Sequence, residues 1–417
     1  MNVLVTDGDT RAALAITRSL GRVHRVFAAS SGLRSLASSS RYCAGPITYP
    51  DPACDAAGFL ATIERETAAH EIDLLLPVTD ISVLLLAQHR RVLPLCCRLP
   101  VAPFDVLMRA ADKAEVAALA TRVDVPLPAT CILHSAAELG AVIDAVGCPL
   151  VVKPARSRVR IGDGWRSTHV TYAGDADELR VQVGALPAHF FPVLLQERIS
   201  GPGTGVFLCY DEGRCVATFA HRRLREMPPS GGVSVLCESV APDPDACTAA
   251  RRLLDELGWH GVAMVEFKRD DRDGVAKLME INGRFWGSLQ LAIDAGVDFP
   301  ALLAAVAQGR RPEPVPDYRV GARLRWTLGS VDALLSSLFS TRERRNLPAR
   351  ENRRAHAIAR FLLSFHSGRS ETLRTDDPGP GWYELRRWLQ SRRNLIHPFA
   401  AAAADTTGSR HDPLAPR

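Results

Sequence analysis

The chain reads as a mixed protein: an α/β doubly wound domain first, α+β architecture after it, and a mostly helical, basic region towards the C-terminus. Three observations predict this. Up to about residue 107, short apolar runs alternate with helical patterns, the rhythm of a parallel sheet with crossover helices. Between 193 and 282 strand-like runs dominate and end in a hairpin. The Pro-rich stretch 309–317 reads as a linker, with Arg-rich helical patterns beyond it.

In order, 2–6 reads as a buried strand, 12–20 as a helix and 23–28 as a second strand. Another strand, 72–76, ends in Pro77-Val-Thr-Asp80. The turn Asp7-Gly-Asp-Thr-Arg11 holds one glycine where a dinucleotide fingerprint needs three, so nucleotide binding there is weakly supported. Asp80 stands at a strand end, either as a ligand contact or as a helix cap. Asp112-Lys113 opens a helix over 114–123 that stops at Asp124-Val-Pro-Leu-Pro128. There follow a helix near 135–146, a strand at 150–153, a loop rich in Arg and Gly over 155–167 and a helix near 175–184. Strands at 193–197, 206–210 and 214–220 precede an amphipathic helix at 246–257, the hairpin and a helix near 300–308. Helical patterns recur near 330–340, 351–366 and 382–393, and the tail 400–417 has a disordered composition. The implied domains are 1–107, 108–309 in two lobes (108–192 and 193–309) and 310–399, then the tail.

Composition narrows the class. With 47% hydrophobic and 23% charged residues, the chain is an ordinary globular protein. No apolar run approaches the ~18 residues of a membrane span. The first residues lack the basic flank and apolar core of a secretory signal. The ten cysteines include no Cys-x-x-Cys pair, so the expected setting is a reducing cytoplasm. Of the 51 basic residues 47 are Arg, and the lysines are Lys113, Lys153, Lys268 and Lys277. A compact ammonium fits against a phosphate where a planar fork does not, which singles out Lys113 and Lys153. Residues 310–399 carry 18 Arg against 9 acids. Their aromatics do not interleave with the basic residues, so a solvated helical face is favoured over nucleic-acid binding.

The most informative stretch is Glu280-Ile-Asn282-Gly-Arg284, with Glu266 upstream. Alternation along a strand places Glu280 and Asn282 on one face, with Arg284 just beyond. An acid, an amide oxygen and a guanidinium in a row suit a Mg²⁺-bridged polyphosphate and a developing anion. A solvated polar face is the bland alternative. For Glu266 to oppose Glu280, the connection needs an odd-length loop or a bulge. A two-residue Asp273-Gly274 turn would instead set Glu266 opposite Ile281, on the wrong face.

Taken together, Asp112-Lys113, Val-Val-Lys153-Pro, Gln196-Glu197-Arg-Ile-Ser-Gly-Pro-Gly203 and Glu266…Glu280-Ile-Asn282-Gly-Arg284 resemble the ATP-grasp superfamily, in its carbamoyl-phosphate-synthase-like or carboligase-like branch. The resemblance spans roughly 1–310 and implies a pre-ATP-grasp domain followed by the two lobes of an ATP-grasp fold. It further implies that Lys113 and Lys153 contact nucleotide phosphates and that the backbone around Gln196, Glu197 and Ile199 meets the adenine. Glu266, Glu280 and Asn282 would hold two Mg²⁺, with Mn²⁺ as an alternative. Arg284 would stabilise an acyl phosphate or tetrahedral intermediate. Many relatives have Pro where Gly283 stands, which should loosen the backbone here. Arg222 and Arg223, with Gly231 and Gly232, form either an anion clamp for substrate or a charged strand edge, and the Arg156/Arg158/Arg160 loop would be a lid. The expected activity is a carboxylate–amine ligase using ATP, with small-molecule carboxylate and amine partners and no membrane. Bicarbonate activation and a non-catalytic ATP-binding regulator are the alternatives, and homo-oligomerisation is left open.

Overall fold

The computed structural model describes residues 1–143, 147–162, 164–228, 232–315, 317–340, 354–364 and 367–396. The expected tail and Gly231 lie outside these residues. The N-terminal sheet is parallel, in the order Gly45–Thr48, Arg25–Ser30, Asn2–Val5, Leu74–Leu76. Val3, Leu4 and Val5 are buried on both faces, as a central parallel strand requires. The helix Arg11–Leu20 starts where the Thr10 hydroxyl accepts from the Ala13 N–H, satisfying an amide that has no helical partner. Asp7, in the left-handed region at φ 55°, accepts the N–H groups of Val78 and Thr79 and the Ser82 hydroxyl. That first turn is therefore a latch between two strand ends.

A second, antiparallel sheet orders Thr130–Leu133, Val193–Glu197, Leu150–Pro154 and Thr171–Ala173. Its apolar face packs on the helix Ala176–Gly184 through Leu179 and Val183. Where a loop is expected over 155–167 there is a hairpin, Arg158–Ile161 paired with Gly164–Ser167. Trp165 tethers it to the N-terminal domain by donating its N–H to the Ala53 carbonyl.

The large sheet has seven strands. Ala276–Asn282 is at one edge, followed by Gly261–Arg269, Gly203–Asp211, Arg214–Met227 and Val233–Ser239. Two short strands after residue 310, Arg323–Arg325 and Arg369–Ser370, extend it. One face buries Phe207, Phe219, Val262 and Met264 in a core shared with the Arg11–Leu20, Leu289–Ala295 and Phe299–Ala307 helices. The other buries Val206, Leu208, Val265 and Phe267 against helices Pro244–Glu256, Phe104–Ala111 and Lys113–Arg122. The region after 310 is otherwise helical over Thr327–Phe339, Arg354–Ser364 and Gly379–Ile396. No single described helix is long and apolar enough to cross a membrane.

Candidate functional site

The hairpin meets the parity condition through a bulge. Glu266 pairs with Glu280 and Met264 with Asn282, while Phe267 pairs with Leu278, so Met279 is the extra residue. The connecting loop is 270–275, with Lys268 and Arg269 still in the strand. Both carboxylates therefore occupy the same face of the large sheet. The Asn282 amide donates to Glu280 Oε1 at 3.0 Å and accepts from Arg284 Nη2 at 3.2 Å. Arg284 in turn donates to the Phe285 carbonyl and, through Nε, to Asp80 Oδ1 at 2.8 Å. Glu280, Asn282, Arg284 and Asp80 form one continuous polar chain.

The two singled-out lysines converge on it. Lys113 is the first residue of a helix capped by Asp112, which accepts from the Ala114 and Glu115 N–H groups. Its ammonium lies 3.6 Å from Glu280 and 2.8 Å from the Ser157 hydroxyl. Asp112 also holds Arg156 at 3.1 Å, tying the base of the hairpin to the same helix. Lys153 lies on the second sheet, 2.7 Å from Gln196 Oε1, and the Gln196 amide is fixed by donating to the Thr130 hydroxyl. Burial pushes the Lys153 ammonium down to about 8, with Lys113 and Lys268 adding to the fall and Glu280 opposing it. Burial also raises the Glu266 carboxyl, with Glu280 reinforcing the rise against Arg223. Glu280 is pushed up by burial, yet Lys113, Asn282 and Lys153 bring it below its ordinary value. The two carboxylates of the hairpin are thus shifted in opposite directions.

Other candidates separate. Arg223 sits 2.5 Å from Glu266 and 3.0 Å from Glu226, and also donates to the Gly232 carbonyl. Arg222 does not join them: it projects from the opposite face and grips Glu238, which Arg323 shares. Glu197 turns its side chain to Arg272, and its N–H is spent on the Ala129 carbonyl. Any adenine contact by the segment 196–199 would use the Gln196 side chain or backbone past the last paired residue, towards buried Ile199. His221 is buried against Phe207 and beside Ser288, and burial lowers its imidazole to about 3. Gly283 is there for close packing: a Cβ would meet Trp259 at 2.8 Å and Leu107 at 2.9 Å. The expected backbone loosening is replaced by a tight contact. Of the two roles expected for Asp80, the cap falls to Thr79, and Asp80 turns to Arg284.

Lys153 on the second sheet and the Glu266 and Glu280 carboxylates on the large sheet thus feel one another's charge. A family model described as ATP-grasp in the biosynthetic pathway with Ter operon matches residues 189–329. The carbamoyl phosphate synthase large chain of Methanosphaerula palustris is 24% identical over 229 residues, covering 52% of this chain and 21% of that protein. The chain thus spans about a fifth of that relative's length. Among solved structures, a Campylobacter jejuni biotin carboxylase in complex with β,γ-ATP superposes with TM-score 0.60 at 15% identity, covering 77% of this chain and 74% of that one. An L-amino acid ligase from Bacillus licheniformis superposes with TM-score 0.56 at 15% identity, covering 74% of each chain. Together these similarities support the ATP-grasp superfamily for this chain.

Proposed function

We propose that this chain is an ATP-dependent, ADP-forming ligase that activates a carboxylate as an acyl phosphate and passes the acyl group to an amine. The observation that carries the reading is the convergence of Glu266, Glu280 and Asn282 with Lys113, Lys153 and Arg284. Lys113 and Lys153 offset the charge of the polyphosphate. A substrate carboxylate oxygen bonds to the γ-phosphorus as the bond to the bridging oxygen breaks, and ADP leaves with the electron pair. The amine nitrogen then bonds to the acyl carbon, and phosphate departs with the C–O electrons while the nitrogen sheds its proton to solvent. Arg284, anchored by Asp80 and Asn282, is oriented to hold the oxyanion of that second step.

Among the described residues no three His, Cys, Asp or Glu side chains gather in one place. Mg²⁺ nonetheless fits Glu266, Glu280 and the Asn282 oxygen, because Mg²⁺ is commonly bound by one or two carboxylates together with substrate phosphates. When held there it would supply positive charge to offset that of the phosphates; Mn²⁺ suits the same donors. A second reading, activation of bicarbonate, is favoured by the similarity to a carbamoyl phosphate synthase and a biotin carboxylase. ADP release from Mg-ATP with pooled carboxylates and amines, with and without bicarbonate, separates the two. Acid-dependent release supports the ligase, and bicarbonate-dependent release supports the alternative.

A further inference from the structure

A cavity of about 380 Å³ opens beside Glu280, Asn282 and Arg284. Its far wall is built by two helices. On Asp80–Gln88, the residues Asp80, Val83 and Leu84 line it, and on Phe104–Ala111 the residues Phe104, Leu107 and Met108 do. Both sets follow the i, i+3, i+4 spacing that puts side chains on one helical face. The hairpin Arg158–Ile161 and Gly164–Ser167 closes the remaining side with Arg158, Val159, Arg160 and Trp165, beside Lys113 and Arg156, so the helical wall is apolar and the facing one is basic. An ordinary seam between two helices is filled by its own side chains; this one stays open at a volume within the range of small-molecule sites.

The floor of the groove is an ion pair with capacity left over. Arg284 spends three of the five N–H groups of a guanidinium, on Asp80, Asn282 and Phe285. Among the described residues, Asp80 Oδ2 meets no donor, and the carboxylate is 40% exposed. A cation and an anion side by side at the foot of the apolar helical wall are complementary to a zwitterion that carries an apolar tail.

We infer that this groove seats the carboxylate to be activated, and that this substrate is an α-amino acid with a bulky apolar side chain. Its carboxylate lies on Arg284 and its ammonium on Asp80, with the side chain between the two helices. The inference rests on the ligase reading and adds the class of acid.

The test uses the full chain with Mg²⁺ and a non-hydrolysable ATP analogue. Saturation-transfer NMR is read for leucine, phenylalanine, glutamate, lysine and 4-methylpentanoate, which lacks the ammonium. Leucine and phenylalanine should bind at least about tenfold tighter than glutamate or lysine, the scale of discrimination an apolar pocket provides. Met108→Trp, which fills the groove, should lose leucine about tenfold or more while nucleotide binding reports an intact fold. Asp80→Asn should weaken leucine by a larger factor than 4-methylpentanoate, which shares only the carboxylate contact, a split that misfolding cannot produce. Equal or tighter binding of the charged amino acids, or leucine binding indifferent to both variants, overturns the inference. ADP release in parallel keeps the two readings apart. Release driven by a polar acid alone retains the ligase and sinks the groove assignment; leucine binding with no ADP from any acid retains the groove and sinks the ligase.

Discussion

Two charge networks in this molecule invite comparison: the cleft around Glu280 and the clasp that fastens residues 371–377 to the first helix. In the clasp, buried Arg18 donates to Asp377 and to the Glu371 and Thr372 carbonyls. Asp377 also accepts from the Ser40 hydroxyl and the Arg41 N–H. Arg11 holds Glu371, and Arg374 holds Asp294. In the cleft the groups are partly buried and under-supplied. Lys153 has a single amide oxygen as its close partner and a depressed pKa, and Asp80 keeps an oxygen in hand. A satisfied buried pair holds elements in place, because losing either partner strands a charge. An under-satisfied one keeps binding capacity, Lys153 for an anion and Asp80 for a cation.

The largest effects should break this contrast at each end. Arg284→Ala should lower the ADP-release kcat by about 10²–10³, the cost of losing an oxyanion donor, with a much smaller effect on Tm. Asp377→Asn should do the reverse, costing about 3–5 kcal/mol in urea unfolding while the folded fraction keeps its nucleotide affinity. A smaller effect is expected from pH. Phosphate binding needs protonated Lys153, so nucleotide affinity should fall as pH rises through about 8, and Lys153→Met should remove that step. Stability without nucleotide runs the other way: the unfolded lysine holds its proton to higher pH, so stability should rise from about 8 towards the ordinary value of 10.5. Isothermal titration and urea melts across pH 7–10 check both signs. Smallest of all, Arg222→Ala removes a side chain that is 55% exposed and should cost no more than about 1 kcal/mol, with turnover unchanged.

The contrast also marks what a single sequence discloses. The parallel rhythm of the first strands, the lysines spared by an Arg-rich chain and the Glu-x-Asn-x-Arg hairpin were legible because each depends on local pattern. The need for an odd loop or a bulge was legible too, but the placement of the bulge at Met279 was not. The difference between Arg222 and Arg223 is one step of strand parity, which decides between the outer face and Glu266. Asp80 was ambiguous because its partner lies 204 residues away. The strand Val233–Ser239 and the two short strands after 310 went unread, since their pairing is decided by distant neighbours rather than by their own composition. Gly283 was read as slack when it answers to the bulk of Trp259.

The central claim is that the cleft transfers phosphate to a carboxylate, and ADP release by the wild type beside Glu280→Gln, with Mg-ATP and pooled amino acids, tests it most directly. The account predicts release that requires an amino acid, ignores bicarbonate and falls to background in the variant. Release that requires bicarbonate alone, or that persists undiminished in Glu280→Gln, would contradict it.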